Sequence, residues 1–220
     1  EKLKSLGAEV VEFQPPRLSF VEEIFFRIIS ADGGKLFIDV LQGEKPVSQL
    51  KNMLMIASAS QFKRNLLNNL AGLFGQKSLT RLITYFGGKG DEHLRIWAEK
   101  QANYRAEFLS AMEKENLDAI VSPVCALPAF LHNSTDKVGL GGIYTILYNV
   151  LGFPAGIARV GEVQADEAIA RKTSLDLLER TASKTQSMSA GLSLSVQIAA
   201  KPWREDVVLS LIGTLHTRKH

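Results

Sequence analysis

The 220-residue chain is 45% hydrophobic with a formal net charge of +3, a balance that suits a globular core and excludes a highly charged disordered chain. Its single cysteine, Cys125, rules out an internal disulfide framework and is compatible with a reducing compartment. No stretch approaches the roughly 18–20 uninterrupted apolar residues of a membrane span, and the charged start "EKLKSLG" does not read as a signal peptide.

Taken in chain order, Glu1–Leu6 reads as the last turns of a helix stopped by Gly7, with Lys2 and Lys4 near the negative end of its dipole. No cap precedes it, so the sequence is expected to begin inside a longer protein. "AEVVEF" (8–13) predicts a short strand ended by Gln14-Pro15-Pro16. Val21, Ile24, Phe25 and Ile28 recur at helical spacing and predict a helix from Phe20 to Ile29, broken by Asp32-Gly33-Gly34. Asp91 can cap a long helix running to about Asn116, with Leu94, Trp97, Tyr104, Phe108 and Met112 on one apolar face.

Asp118–Pro123 reads as a short buried strand without alternation, which points to a parallel or mixed sheet covered on both faces. The loop "PVCALPAF" (123–130) leaves its carboxyl edge, where open α/β sheets tend to bind ligands. Gly139-Leu-Gly-Gly142 opens an apolar helix that ends at Gly152; Pro154 blocks its continuation and a buried strand, Ala155–Val160, follows. This glycine run is not a phosphate loop, because no Gly-Lys-Ser/Thr follows it. A surface helix is expected around Asp166–Arg180. Gly191–Ala200 alternates, with Leu192, Leu194, Val196 and Ile198 on one face of a strand, and "KPWREDVVLSLIGTLH" (201–216) starts a final helix. The order of elements indicates an α/β fold.

Chemistry is sparse. The histidines, His93, His132, His216 and His220, pair with no other ligand at metal spacing, so neither a metal nor a cofactor is expected. Cys125 reads as a small buried residue rather than a catalytic thiol. Ser187–Gly191 lacks the first glycine of a nucleophile elbow, and Ser60–Lys63 lacks the companion motifs of its class. The chain shows no evident catalytic residue.

Residues 46–90 contain no acid and six bases, Lys51, Lys63, Arg64, Lys77, Arg81 and Lys89, which leaves the rest of the chain net acidic. The same window is apolar. Phe62, Leu66, Leu70, Leu73 and Phe74 share one side of a helix, with Lys63, Arg64, Asn65, Asn68 and Asn69 on the other. A second helix, Leu79–Phe86, adds Leu82, Ile83, Tyr85 and Phe86, with a bend at Gly72 or Gly75-Gln76. Two short basic amphipathic helices suit a monotopic membrane patch, whose bases contribute at most roughly 6 kcal/mol at an anionic surface. Composition equally allows a hairpin buried in the parent protein. Nucleic acid fits poorly, because leucines stand where stacking rings would be needed.

Several stretches together resemble the amidase signature family, in particular its fatty acid amide hydrolase branch: "SADGGK" (30–35), the basic helical pair at 60–88, "LDAIVSPVCALPAF" (117–130), "YTILYNVLGFPAG" (144–156) and "GLSLSVQIAAKPWRED" (191–206). The resemblance implies a mixed β-sheet sandwiched between helices, with 1–220 the C-terminal portion of one amidase domain and 46–90 a membrane-cap hairpin inserted in it. It implies hydrolysis of a lipid amide or ester by a serine nucleophile. A lysine acts as base through a bridging serine, and backbone N–H groups stabilise the oxyanion. Those groups belong to the family's N-terminal half, so this chain is expected to be inert alone.

By the same resemblance the acyl-tunnel positions fall on Leu82, Phe86, Gly142, Ile146 and Trp203. The membrane contact falls on Phe62, Lys63, Arg64, Leu66, Leu70, Leu73, Phe74 and Arg81. Gly142 and Phe86 depart from the residue types usual there. A homodimer on the cytosolic side of an internal membrane is also implied. The alternatives are a soluble amidase of small or aminoacyl amides, and a non-catalytic lipid-binding or membrane-docking module.

Overall fold

A computed structural model describes residues 1–87, 90–138, 142–172 and 174–216, with the backbone alone for Gln49 and Asp136. Gly88, Lys89, the glycine run at 139–141 and His220 lie outside the described residues. Among those described, the helices are α1 (Lys2–Ser5), α2 (Leu18–Ile29), α3 (Lys35–Val40), α4 (Ser48–Ser58), α5 (Gln61–Leu73), α6 (Lys77–Tyr85), α7 (Asp91–Lys114), α8 (Thr135–Val138), α9 (Ile143–Leu151), α10 (Leu177–Ser187) and α11 (Glu205–Leu215). The strands are β1 (Ala119–Pro123), β2 (Ala155–Glu162) and β3 (Ser193–Ala200).

Helix α7 buries Trp97, Tyr104, Phe108 and Met112 of the stripe its spacing predicts, while Leu94, in its first turn, stays exposed. Against it pack Val21 and Ile24 of α2, Ile146–Tyr148, Val150 and Leu151 of α9, and Phe153. Aromatic edges set the spacing here, with Phe108 meeting Phe13 and Phe153 edge-on at 5.7 and 5.8 Å between centroids. The Tyr104 hydroxyl donates to the Pro16 carbonyl at 2.8 Å, so this buried ring leaves no orphaned polar atom. Burial pushes its pKa well above the ordinary tyrosine value.

The α/β class expected from the sequence holds, and the pairing within the described residues is antiparallel, in the order β1-β3-β2. β3 takes the centre, so its second half, Gln197–Ala200, is buried on both sides instead of alternating. β1 and β2 lie at its edges and are less buried than expected, with Val121 and Ile157 exposed. One face of the sheet is covered by α11, which packs Val208 and Leu215 on Ala158, Ile198 and Ala200. Two sequence expectations fail. Residues 8–13 are extended but form no strand, because no described strand runs beside them and Val10 and Val11 stay exposed. The helix expected at 166–180 starts instead at Leu177, after Asp176 supplies the cap.

Asp176 is buried and serves two helices at once. Its Oδ1 accepts from Leu178 N at 2.8 Å and its Oδ2 from Ser78 N at 3.0 Å, satisfying first-turn donors of α10 and α6. Gln76 completes the clamp: it donates to the Leu175 carbonyl and accepts from Leu177 N. The α5–α6 turn is thereby fastened to a segment a hundred residues away. Burial raises the Asp176 pKa, but the N–H donors outweigh it and hold the carboxyl below its ordinary range.

Removing the carboxylate in Asp176→Ala is expected to cost about 1–3 kcal/mol in chemical denaturation of the whole protein, as two caps are lost. A folded-state pKa below the unfolded value of about 3.9 stabilises fully above that value. This contribution therefore disappears as pH falls through the folded pKa, and the wild-type–variant gap should narrow below pH 4. A Cβ added at Gly156 would stand 2.5 Å from Ile212 Cδ1 and 3.4 Å from Val208 Cγ1. Gly156→Val should lower stability by about 1–3 kcal/mol through overpacking, and adding Ile212→Val should recover part of the loss.

Candidate functional site

The α9–β2 connection is built for tight reversal. Gly152 takes φ 61°, ψ 39°, a left-handed stop that glycine reaches without steric cost. Phe153 N then donates to the Tyr148 carbonyl at 3.1 Å, closing the helix, and the Pro154 carbonyl accepts from Ala200 N at 3.2 Å, joining the chain to β3. Behind the turn the Tyr148 hydroxyl lies 3.3 Å from Ser122 Oγ, linking α9 to β1. Burial pushes the Tyr148 pKa up, and the Ser122 contact only partly offsets it. This rigid corner leaves part of the sheet face away from α11 open.

On that open face lies a cavity of about 580 Å³, within the size range of small-molecule sites. Leu127 and Phe130 of the loop after β1, Gly142 and Thr145 at the start of α9, Ile157 of β2 and Leu194 of β3 wall it. Cys125 also reaches it, which places the thiol at a cavity wall. The loop leaving the β1 edge is therefore a cavity wall, as its position in the sequence suggested.

The expected tunnel residues do not line one cavity. Gly142 lies in the wall, but Thr145 follows it there. Ile146, only 9% exposed, turns into the α2–α7–α9 core. Leu82 is half-buried and Phe86 is buried in a second core beside Phe26, whose ring centre is 5.0 Å away. Trp203 is 89% exposed, in the turn before α11, with φ 65°.

The hairpin gives a sharper result. Phe62, Leu66, Leu70, Leu73 and Phe74 all point outward, with Phe62 78% and Leu73 82% exposed. Lys63 is exposed beside them. The other side of α5 faces the protein, so Arg64 is buried at 7% exposure and not available to an outer surface. Its guanidinium is held by the Ala59 carbonyl and Gln61 Oε1. Arg81 stays half-exposed but pairs with the buried Glu22 at 3.2 Å; burial raises the Glu22 pKa and Arg81 partly offsets that. Helix α5 thus exposes an apolar stripe, while its protein-facing side is mixed, with Arg64 and Asn68 beside Leu67 and Ala71.

Sequence reasoning did not find Leu127, Phe130, Ile157 and Leu194 as cavity residues, nor Glu22 and Asp176 as anchors of the hairpin. For the last two no local signal existed, since their partners lie 59 and 98 residues away. The 123–130 loop was flagged only by its place after a strand.

The family model described as Amidase matches residues 1–209. "Fatty acid amide hydrolase 1" of Caenorhabditis elegans is 30% identical over 210 residues, covering 94% of this chain and 36% of that protein. "Fatty-acid amide hydrolase 1" of Sus scrofa is 25% identical over 215 residues, with the same coverage. A solved structure titled "Fatty acid amide hydrolase" superposes with a TM-score of 0.65 at 19% identity, covering 98% of this chain and 35% of that one, which supports the fold alone. The chain spans about a third of the length of the relatives it matches, and it belongs to the amidase family.

Proposed function

We propose that the whole protein hydrolyses fatty acid amides, or the corresponding esters, and that this chain supplies its membrane contact and part of its acyl-chain site. The outward apolar stripe of α5 carries this reading. A contiguous stripe of Phe62, Leu66, Leu70, Leu73 and Phe74, flanked by Lys63, suits the interfacial zone of a bilayer. Each fully inserted Leu or Phe contributes about 1.5–3 kcal/mol, more than the roughly 1 kcal/mol of each nearby base. Insertion of the stripe would therefore dominate, and electrostatics would select the surface. No helix among the described residues is long and apolar enough to cross a membrane, so the contact proposed is monotopic. Residues 46–90 act in it as a cap inserted in one amidase domain.

The acyl chain would enter the cavity between the 123–130 loop and α9, whose Leu127, Phe130, Ile157 and Leu194 offer methylenes a matching surface. Gly142 is its contact residue in this chain, and the roles expected for Leu82, Phe86, Ile146 and Trp203 would need the part of the whole protein outside this chain. The reacting serines and lysine would come from the part of the whole protein outside this chain, so the chain alone is inert. A homodimer on the cytosolic side of an internal membrane follows from the same reading. The second reading, a soluble amidase of small or aminoacyl amides, would instead cover the α5 stripe with protein.

Two experiments separate them. Whole protein carrying Leu73→Asp and Phe74→Asp should bind phospholipid vesicles roughly a hundredfold more weakly in sedimentation; undiminished binding would show that another surface docks. Gly142 has φ −81° and room for a side chain, with only Thr145 Oγ1 at 3.6 Å. Gly142→Leu should lower kcat/KM for a long-chain amide by about tenfold or more, and change it little for a short amide. Equal losses on both would remove the tunnel role.

A further inference from the structure

The inner side of α5 carries Arg64 and Asn68 beside the apolar Leu67 and Ala71. Between it, α2 and α6 lies a second cavity of about 230 Å³, room for several waters at about 30 Å³ each. Arg27, Arg64, Gln61, Asn65, Asn68 and Thr84 line it over a floor of Ile83 and Phe86, and no carboxylate is among the lining residues. We propose that this pocket binds an oxyanion, with a phosphate group as the fitting class.

Both cations are pre-positioned. Arg64 is fixed by the Ala59 carbonyl and by Gln61 Oε1 at 2.8 Å. Gly87 makes room for it: a Cβ there would stand 2.4–2.7 Å from its guanidinium atoms. Gly87 in turn donates its N–H to the buried Ser30 Oγ at 3.1 Å. Arg27 lies with its guanidinium carbon 5.6 Å from the Trp97 ring centre, and its acidic contact, Glu23, is a loose 3.4 Å away. Two guanidiniums beside one carboxylate leave the site cationic.

Two buried atoms of residues lining it have no hydrogen-bond partner among the described residues: Arg27 Nε, a donor, and Asn68 Oδ1, an acceptor. A buried unsatisfied group costs about 1–3 kcal/mol, so an occupant able to satisfy both is favoured. A phosphate does so, its charged oxygens accepting from the planar guanidinium and its P–OH donating to Asn68. The pocket lies on the flank of the helix that carries the outward apolar stripe. The phosphate could therefore come from a lipid headgroup or from solution. The inference stands apart from the hydrolase reading, since phosphate binding is measured with no amide present.

The test is calorimetric titration of the whole protein with inorganic phosphate at constant ionic strength, paired with flotation on phosphatidylcholine vesicles with and without phosphatidic acid. Arg27→Gln and Asn68→Leu should each weaken binding by about tenfold or more, as should Gly87→Ala, which displaces Arg64. Lys114→Gln, an exposed cation at the end of α7 outside the pocket, should change it less than about twofold. Loss in the phosphate titration supports the site with a soluble oxyanion as ligand. Loss confined to phosphatidic acid vesicles supports it with a headgroup as ligand. If Arg27→Gln does not fold, Asn68→Leu decides the matter. The proposal is overturned if wild type binds neither probe, if the pocket variants bind both as wild type does, or if Lys114→Gln loses as much as they do.

Discussion

Helix α2 is buried on two sides, and the arrangement of the molecule depends on that. Val21 and Ile24 enter the core made with α7 and α9, while Phe26 enters the core made with α4, α5 and α6. Phe25 touches both. A twelve-residue helix with apolar side chains around most of its circumference cannot sit on a surface. It must lie between two layers, and the hairpin has to pack on it from the side opposite α9. Two of its charged residues, Glu22 and Arg27, are engaged by Arg81 and by the ring of Trp97, the latter beside Glu23.

With one side of the hairpin committed to α2, its orientation is settled by polar anchors rather than by its greasiest residues. The Asp176 and Gln76 clamp holds the α5–α6 turn, and the Arg64 network holds the start of α5. Both are buried or half-buried hydrogen-bond sets, which specify geometry more strictly than apolar contact does. The consequence is that Leu73 and Phe74, beside the turn, face away from the protein. Exposure of this kind on a fixed element differs from the scattered exposed leucines found on most proteins.

The sheet end of the molecule works by close approach. Gly156 lets α11 settle on β2 and β3, and the left-handed Gly152 turns the chain within a few residues from α9 into β2. Because α11 covers one sheet face and α9 only part of the other, the remaining strip, with Ile157 and Ser195, becomes a cavity wall. The two proposed sites thus sit in different parts of the fold, the polar pocket beside the core of α2, α4, α5 and α6, and the apolar cavity beside Leu127 and Phe130, which pack with Val138 and Ala182. A pocket for phosphate and a cavity for an apolar chain occupy separate parts of one scaffold.

Local pattern alone determined where the long elements run. The period of α7, the Gly152–Pro154 stop of α9, the β-branched and alternating run of β3, and the bases and leucines of 61–86 each follow from neighbouring residues. It also carried the family, because the motifs at 117–130, 144–156 and 191–206 are contiguous. Direction was another matter. Helical spacing places Arg64 opposite Phe62 but does not say which of the two meets the protein. That depends on α2 and Gly87 arriving from elsewhere. Ile146 and Thr145 differ by about a third of a turn, and only the position of α7 decides that the first fills a core and the second a cavity. Spacing along the chain determines which side chains share a face, whereas the long-range contacts between elements decide what that face touches.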